Sequence, residues 1–558
     1  TGLLIRKTWA DGTHEDTAYN ALNFKSTLTD ARGVVTTWGY NLKKGVNNSV
    51  SYSDSTPGIQ YAYNHLNQLT QVTDASGSRV LTYTPCNEPD TDSITIGGSS
   101  YQLQEHYDTY GRSSGYTLKQ GTDVLQEASQ GYEADGRLAS AGIRHGGTEQ
   151  SFAYGYLAGS SLLSSLAMPD GIVRELAYEQ RRNLVTAINC RLGETVLVSR
   201  TQSYDALGRP ATRTQQRGTE PARSDSFSYN GRNELTAATL GAAPYGYSYD
   251  NIGNRTTSRE GTDFLPATYV ANRLNQYTDI TEGTEPPFVP NYDADGNQTK
   301  IQTSTGEWEV FYNALNQAAR FIQGNRRVEC RYDYLNRRIE KAVYEGEILM
   351  SKKRFIYHGY LQIAELDAAA ATESAMPVLR KTYLWDPLEP AATRILAMSL
   401  FDETGTWAEN LYYTHDLLKN TTALFGIRAG RRALYEYGPY GNIVRMEGNA
   451  AEDNPFRFSS EYADDELGLV YYNYRYYNPQ NGRWISRDPI GEEESNNLYR
   501  FSDNSSIIYC DILGLQLYEK KSEAFAVANR MVVEAMEKRY EQDLQKWNST
   551  PIEKKTKK

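Results

Sequence analysis

Two stretches, YNGRNEL at 229–235 and YDNIGNR at 249–255, decide the fold. Each opens on Tyr, continues with Asn or Asp, and carries Asn or Gly at its fifth position. Those residues tolerate the positive φ that a tight hairpin turn demands. Working outward, the same pattern recurs as YNHLNQL at Tyr63, YDTYGR at Tyr107, YEADGRL at Tyr132 and YDALGR at Tyr204. It continues as YDADGNQ at Tyr292, YNALNQ at Tyr312 and YDYLNRR at Tyr332. From Tyr229 the tyrosines fall at 229, 249, 269, 292, 312 and 332, so the spacings are 20, 20, 23, 20 and 20. Alternating segments such as Tyr245, Tyr247 and Tyr249 flank the turns. Twenty residues therefore supply two short strands and two turns. One hairpin cannot stabilise itself, so successive hairpins pair edge to edge into a long sheet that accumulates twist and coils into a solenoid or shell.

Composition agrees with a wall better than with a packed core. The 558 residues include 44 Tyr and 44 Gly, and 39% are hydrophobic, against about 45–50% for an average globular chain. Tyr fits a pleated surface with one wet side. Its ring covers neighbours while its hydroxyl reaches solvent or another strand. An aromatic stripe of this kind also suits sugar binding, which is retained as a minority reading. Lys plus Arg number 58 and Asp plus Glu 69, a net charge of -11, which disfavours a dedicated nucleic-acid or anionic-membrane binder. Cys86, Cys190, Cys330 and Cys510 form no CxxC pair and the six His are scattered, so neither a metal nor another cofactor is expected. No stretch approaches the ~18 to 20 apolar residues of a membrane span. The chain opens at Thr1 within a repeat and reads as a piece of a longer protein.

Periodicity weakens between about 340 and 440, with an alanine-rich stretch, Asp367 to Pro377, that reads as an exposed loop. Beyond it stand NPFRFSSEYADDELGLVYYNYRYYNPQNGRWISRDPIG at 454–491, NLYRF at 497–501 and YCDILGL at 509–515. This run resembles the core that closes proteins of the RHS-repeat family, and the upstream repeats resemble its YD repeats. The family includes bacterial polymorphic toxins, the C component of insecticidal toxin complexes and the YD shell of the animal teneurins. The resemblance implies an all-β fold of hairpins coiled into a large hollow shell. On this reading residues 1–440 form the shell, 441–515 the core that closes it, and 516–558 a variable C-terminal tail.

The resemblance also implies a chemistry: self-cleavage after the last motif of the core by two aspartates acting together. Matched residue by residue, these are Asp488 in RDPIG and Asp511 in the terminal motif, with the scissile bond at Leu515-Gln516. Arg487 is placed beside them, to hold one carboxylate ionised or to orient the wall. Two close carboxylates share one proton, so one activates water while the other protonates the departing amine. Against this stands turn-capping by both aspartates, since Asp before Pro is ordinary turn chemistry. This sequence has Ile512 where the family usually has Pro.

The tail differs in composition. Phe525, Ala528, Val532, Met536, Tyr540, Leu544 and Trp547 recur at helical spacing, and 10 basic against 7 acidic residues give +3 on a body of -14. It reads as a short helical segment and as cargo of the shell. Secretion machinery, a shell-completing protein and carbohydrate are the other partners considered, and the protein is expected to be secreted or at the bacterial cell surface. The competing function is a cell-surface adhesion or carbohydrate-binding shell. A glycoside hydrolase is disfavoured, because no carboxylate pair is set apart by its neighbours.

Overall fold

The computed structural model describes residues 2–519 apart from 146, 263–264, 370–375, 389–393, 427, 429 and 493–494. Among these the chain is all-β, without α-helix. Twenty-five strands, from Arg6–Thr8 to Tyr277–Glu282, make one sheet and fourteen, from Asn291–Tyr292 to Ile443–Glu447, a second. Each strand pairs antiparallel with its neighbours in sequence, as Arg223–Tyr229 does with Leu235–Leu240, and Ala243–Tyr249 with Arg255–Glu260. The alternation is as expected: Tyr245 and Tyr247 point into the buried face.

The repeat motif works through three linked devices. The Asp250 carboxylate accepts from the amides of Ile252 and Asn254, at 3.0 and 2.8 Å, and so builds the turn from its own first residue. The fifth position then takes positive φ, 65° at Asn233 and 87° at Gly253. The motif tyrosine sits at a β-bulge, between Ser228 and Tyr229 in one repeat and Ser248 and Tyr249 in the next. The extra residue re-aims the side chain, and its hydroxyl donates to a carbonyl of the preceding hairpin. Tyr229 reaches Pro210 O at 2.8 Å, Tyr249 reaches Leu235 O at 2.8 Å, and Tyr332 reaches Ala318 O at 2.7 Å. Each such latch contributes about 1 kcal/mol. These hydroxyls are spent inside the wall.

The sheet winds into a coil whose circumference can be read in residues. Hydrogen bonds join Ala31 to Asp295, Thr56 to Ala314, Ile96 to Arg354 and Gln126 to Tyr383, which lie 264, 258, 258 and 257 positions apart. Toward the C-terminus the jump shortens, to 219 between Arg217 and Glu436 and 191 between Tyr249 and Tyr440. The coil therefore narrows toward its closing end. Apolar residues of successive turns share one core, in which Ile94, Leu118, Ile143 and Ile188 pack with Ile356, Leu384, Leu396 and Phe425.

A four-stranded sheet, running from Tyr462–Asp464 to Arg483–Trp484, seats in the narrowed end. Its aromatic face joins the wall: Phe458, Tyr472, Tyr477, Trp484 and Phe501 cluster with Phe227, Tyr245, Tyr247 and Tyr440. The tail begins differently from its expected helix, because Gln516–Glu519 is a strand paired with Tyr509–Ile512. The helical periodicity starts at Phe525 and lies outside the described residues.

Candidate active site: two aspartates on one arginine

The closing hairpin places the site. Strand Tyr509–Ile512 carries Asp511 and returns as Gln516–Glu519, with Ile512 opposite Gln516. Leu513 and Gly514 form the turn at φ 61° and 76°, and Leu515 N donates to Ile512 O at 3.0 Å. Two successive positive φ values mark the turn type favoured in hairpins, where Gly and Asn are usual. A Leu there is strained by about 1 kcal/mol. The strain is held by Tyr474 N, which donates to Leu513 O at 3.1 Å, and by Arg475 Nε, which donates to Gly514 O at 2.5 Å. Leu513→Asn should therefore raise the denaturation midpoint by the equivalent of up to about 1 kcal/mol. A lower midpoint on guanidinium titration would show that the Leu513 side chain is needed for packing.

Asp488 lies on the turn that follows strand Arg483–Trp484. Its amide donates to Leu498 O at 3.0 Å, and its Oδ1 accepts from Ile490 N at 3.0 Å. It thus caps its own turn, and its second oxygen remains free for another partner. That partner is Arg475. One guanidinium nitrogen, Nη2, lies 2.8 Å from Asp488 Oδ2 and 3.7 Å from Asp511 Oδ2. Arg475 is buried, stacked 4.1 Å from the ring centre of Trp484, and donates as well to Leu498 O at 3.4 Å.

Burial raises both carboxyls and Arg475 opposes both rises. Burial pushes Asp511 up to about 8, opposed by Arg475, raised further by Asp488, and eased by the amides of Leu515 and Gly514. Its Oδ1 is buried with no hydrogen-bond partner among the described residues. Asp488 is also raised by burial, with Arg475 pulling it back. A third carboxyl, Glu461, is held well above the usual range by burial, with Lys419 opposing and Asp511 adding to the rise. Below about 8 Asp511 is held protonated, and the Arg475 cation lies against both carboxyls.

Of the residues singled out in the sequence, Asp488 and Asp511 meet on Arg475, and the Leu515-Gln516 bond follows the turn into which the Asp511 strand leads. Arg487 lies elsewhere: its guanidinium is 4.1 Å from the ring centre of Trp9, and it acts electrostatically on Tyr499 and Asp11. Sequence reasoning missed Arg475, inside YYNYRYYN. The available signal was a cation in an aromatic run, which on burial needs an anionic partner. Among the described residues no group of three or more His, Cys, Asp or Glu is placed to hold a metal, and no helix is long and apolar enough to cross a membrane.

No family model matches the chain. Double-stranded DNA deaminase toxin A of Burkholderia cenocepacia is 24% identical over 435 residues, 69% of this chain and 29% of its own length. Toxin subunit YenC1 of Yersinia entomophaga is 27% identical over 289 residues, 48% of this chain and 28% of its own. The crystal structure of TcdB2-TccC3-TEV superposes with a TM-score of 0.77 at 18% identity, over 92% of this chain and 28% of that one. The chain thus spans less than a third of each. The coiled hairpin wall that narrows to an aromatic plug shares its fold with the TcdB2-TccC3 structure, and the sequence is similar to that of these toxins, in keeping with the resemblance to RHS-repeat proteins.

Proposed function

We propose that this chain is the shell of a secreted bacterial toxin, holding the polypeptide that continues past Leu515 and freeing it by cutting Leu515-Gln516. Residues 1–440 serve as wall, 441–515 as the closing core, and 516–558 as the start of the cargo. The observation that carries the reading is the single Arg475 nitrogen shared by Asp488 and Asp511 beside the 512–516 hairpin. The relatives' names support the toxin class, and the pairing of TccC3 with TcdB2 supports a second protein that completes the shell.

In the proposed step Asp488, the carboxyl closer to Arg475, takes a proton from water. The water oxygen bonds to the Leu515 carbonyl carbon. Asp511 gives its proton to the Gln516 nitrogen as the C–N bond breaks, leaving a carboxyl on Leu515 and an amine on Gln516. The reaction needs no cofactor. Intact mass of the purified protein should show a fragment ending at Leu515, absent in Asp488→Asn and Asp511→Asn. The rate should fall as pH rises through about 8, where Asp511 loses its proton. An uncut wild-type chain, or cutting that survives Asp511→Asn, removes the catalytic reading.

A further inference from the structure

The first hairpin of the chain reaches the turn that bears Asp488. Strand Arg6–Thr8 pairs with His14–Tyr19, and Trp9 closes the hairpin turn, its amide donating to Thr13 O at 2.8 Å. Two cations lie against the Trp9 ring: Lys7 Nζ is 3.9 Å from its centre and the Arg487 guanidinium 4.1 Å. Trp9 Nε1 and Arg487 Nη1 are both buried without hydrogen-bond partners among the described residues. A cation–π contact gains strength when desolvated.

The same place is fixed from a second side. Arg487 Nε packs over Gly296 so closely that a Cβ there would lie 2.3 Å from it and 2.6 Å from Tyr499 Oη. Gly296 also has φ 81°, so only glycine suits the position. Tyr499 Oη donates to Gly296 O at 2.7 Å. The turn 293–297 is in turn held by the second hairpin of the chain: Arg32 Nε lies 2.9 Å from Asp295 Oδ2, and Ala31 N donates to Asp295 Oδ1 at 2.8 Å. Arg487 is therefore gripped between the first turn of the coil and the repeat one circumference later. The next residue is Asp488, whose turn closes through Gly491 N donating to Asp488 O at 3.0 Å.

We propose that Trp9 and Arg487 are positioning residues for the aspartate pair: their stack ties seating of the N-terminal hairpin to the geometry of the Asp488 turn. This rests on the cleavage reading above for its functional meaning, but the mechanical link stands on its own contacts. Closure of the coil is then sensed at the site. A chain whose 6–19 hairpin is unseated has a loose Asp488 and cuts slowly, so release of the cargo follows the docking of these two turns of the wall.

Two measurements test this. In an Asp511→Asn background, which keeps the chain whole, adding Trp9→Ala should speed amide exchange at Asp488 and Gly491 by about tenfold. Exchange in the distant repeat Arg326–Tyr332 should not change. Trp9→Phe, which keeps a ring, should restore most of the protection. Arg487→Ala should do at least as much as Trp9→Ala, and adding Trp9→Ala to it should add little, as expected where the Trp9 effect runs through that one contact. In the otherwise native chain, Trp9→Ala should slow cutting by a similar factor with its pH limb still near 8. Unchanged exchange at Asp488 and Gly491, or a rise spread evenly over the chain, overturns the proposal. If the exchange result holds while the wild-type chain never cuts, the clamp stands and the cleavage reading falls.

Discussion

Arg475→Met should slow cutting at Leu515-Gln516 by about 10²- to 10⁴-fold, the range set by loss of general acid–base assistance. Arg475 lowers the proton affinity of both carboxyls, and burial raises both. Without the cation both carboxyls shift further toward the protonated form, which takes away the base that activates water. The variant should still fold, since two buried carboxyls can neutralise by taking up protons. What cutting remains should shift its optimum to higher pH, because a base appears only once one carboxyl ionises. Arg475→Lys should recover part of the rate. It restores charge but not the fork that also reaches Gly514 O and Leu498 O. Initial rates by intact mass across pH 5 to 10 check this; a Met variant as fast as the parent would place the chemistry elsewhere.

The hairpin wall was legible because its signal is local. Asp250 builds its turn by accepting from the amides of Ile252 and Asn254, two and four residues on, and a spacing of 20 is the length of two strands and two turns. The destination of the tyrosine hydroxyls was not, since a latch from Tyr249 to Leu235 depends on a bulge that inserts one residue into the register. Nor was the coil's circumference, which sums small twists over a whole turn and appears only when Ala31 meets Asp295. Asp488 and Asp511 were found through family resemblance, not through any physical property of their neighbourhoods in sequence. Arg475 and Arg487 show why: both are arginines in the closing segment, and only the fold decides that one faces the carboxyls and the other faces Trp9. Ile512 stands on the ladder opposite Gln516, a place its sequence context did not disclose.

The mooring of the plug should give the largest stability effect. Asp464 is fully buried on strand Tyr462–Asp464 and bonds to Arg338 and Lys341 of the second sheet. Arg338 is also buried, with Tyr476 Oη at 2.9 Å and the rings of Tyr462 and Tyr471 at 4.6 and 4.4 Å. Removing Asp464 strands the buried Arg338 in an aromatic core, while Lys341 keeps Glu466, so Asp464→Ala should cost about 3–5 kcal/mol. Replacing both partners, as in Asp464→Leu with Arg338→Met, should cost much less, because no uncompensated charge is left at that contact. Despite its burial, Lys341 and Arg338 hold the Asp464 carboxyl well below the usual range. Its contribution is present above the unfolded value near 4 and is lost as pH falls through the lower folded value. Asp511 acts in the opposite direction: raised to about 8, it favours the folded chain most below the unfolded value, and that stability is lost as pH rises through 8. Guanidinium midpoints against pH should therefore pass through a maximum. Asp464→Asn should flatten the acid limb and Asp511→Asn the alkaline limb, each leaving the other in place. A single limb removed by both substitutions would mean that plug and cutting site unfold as one coupled unit.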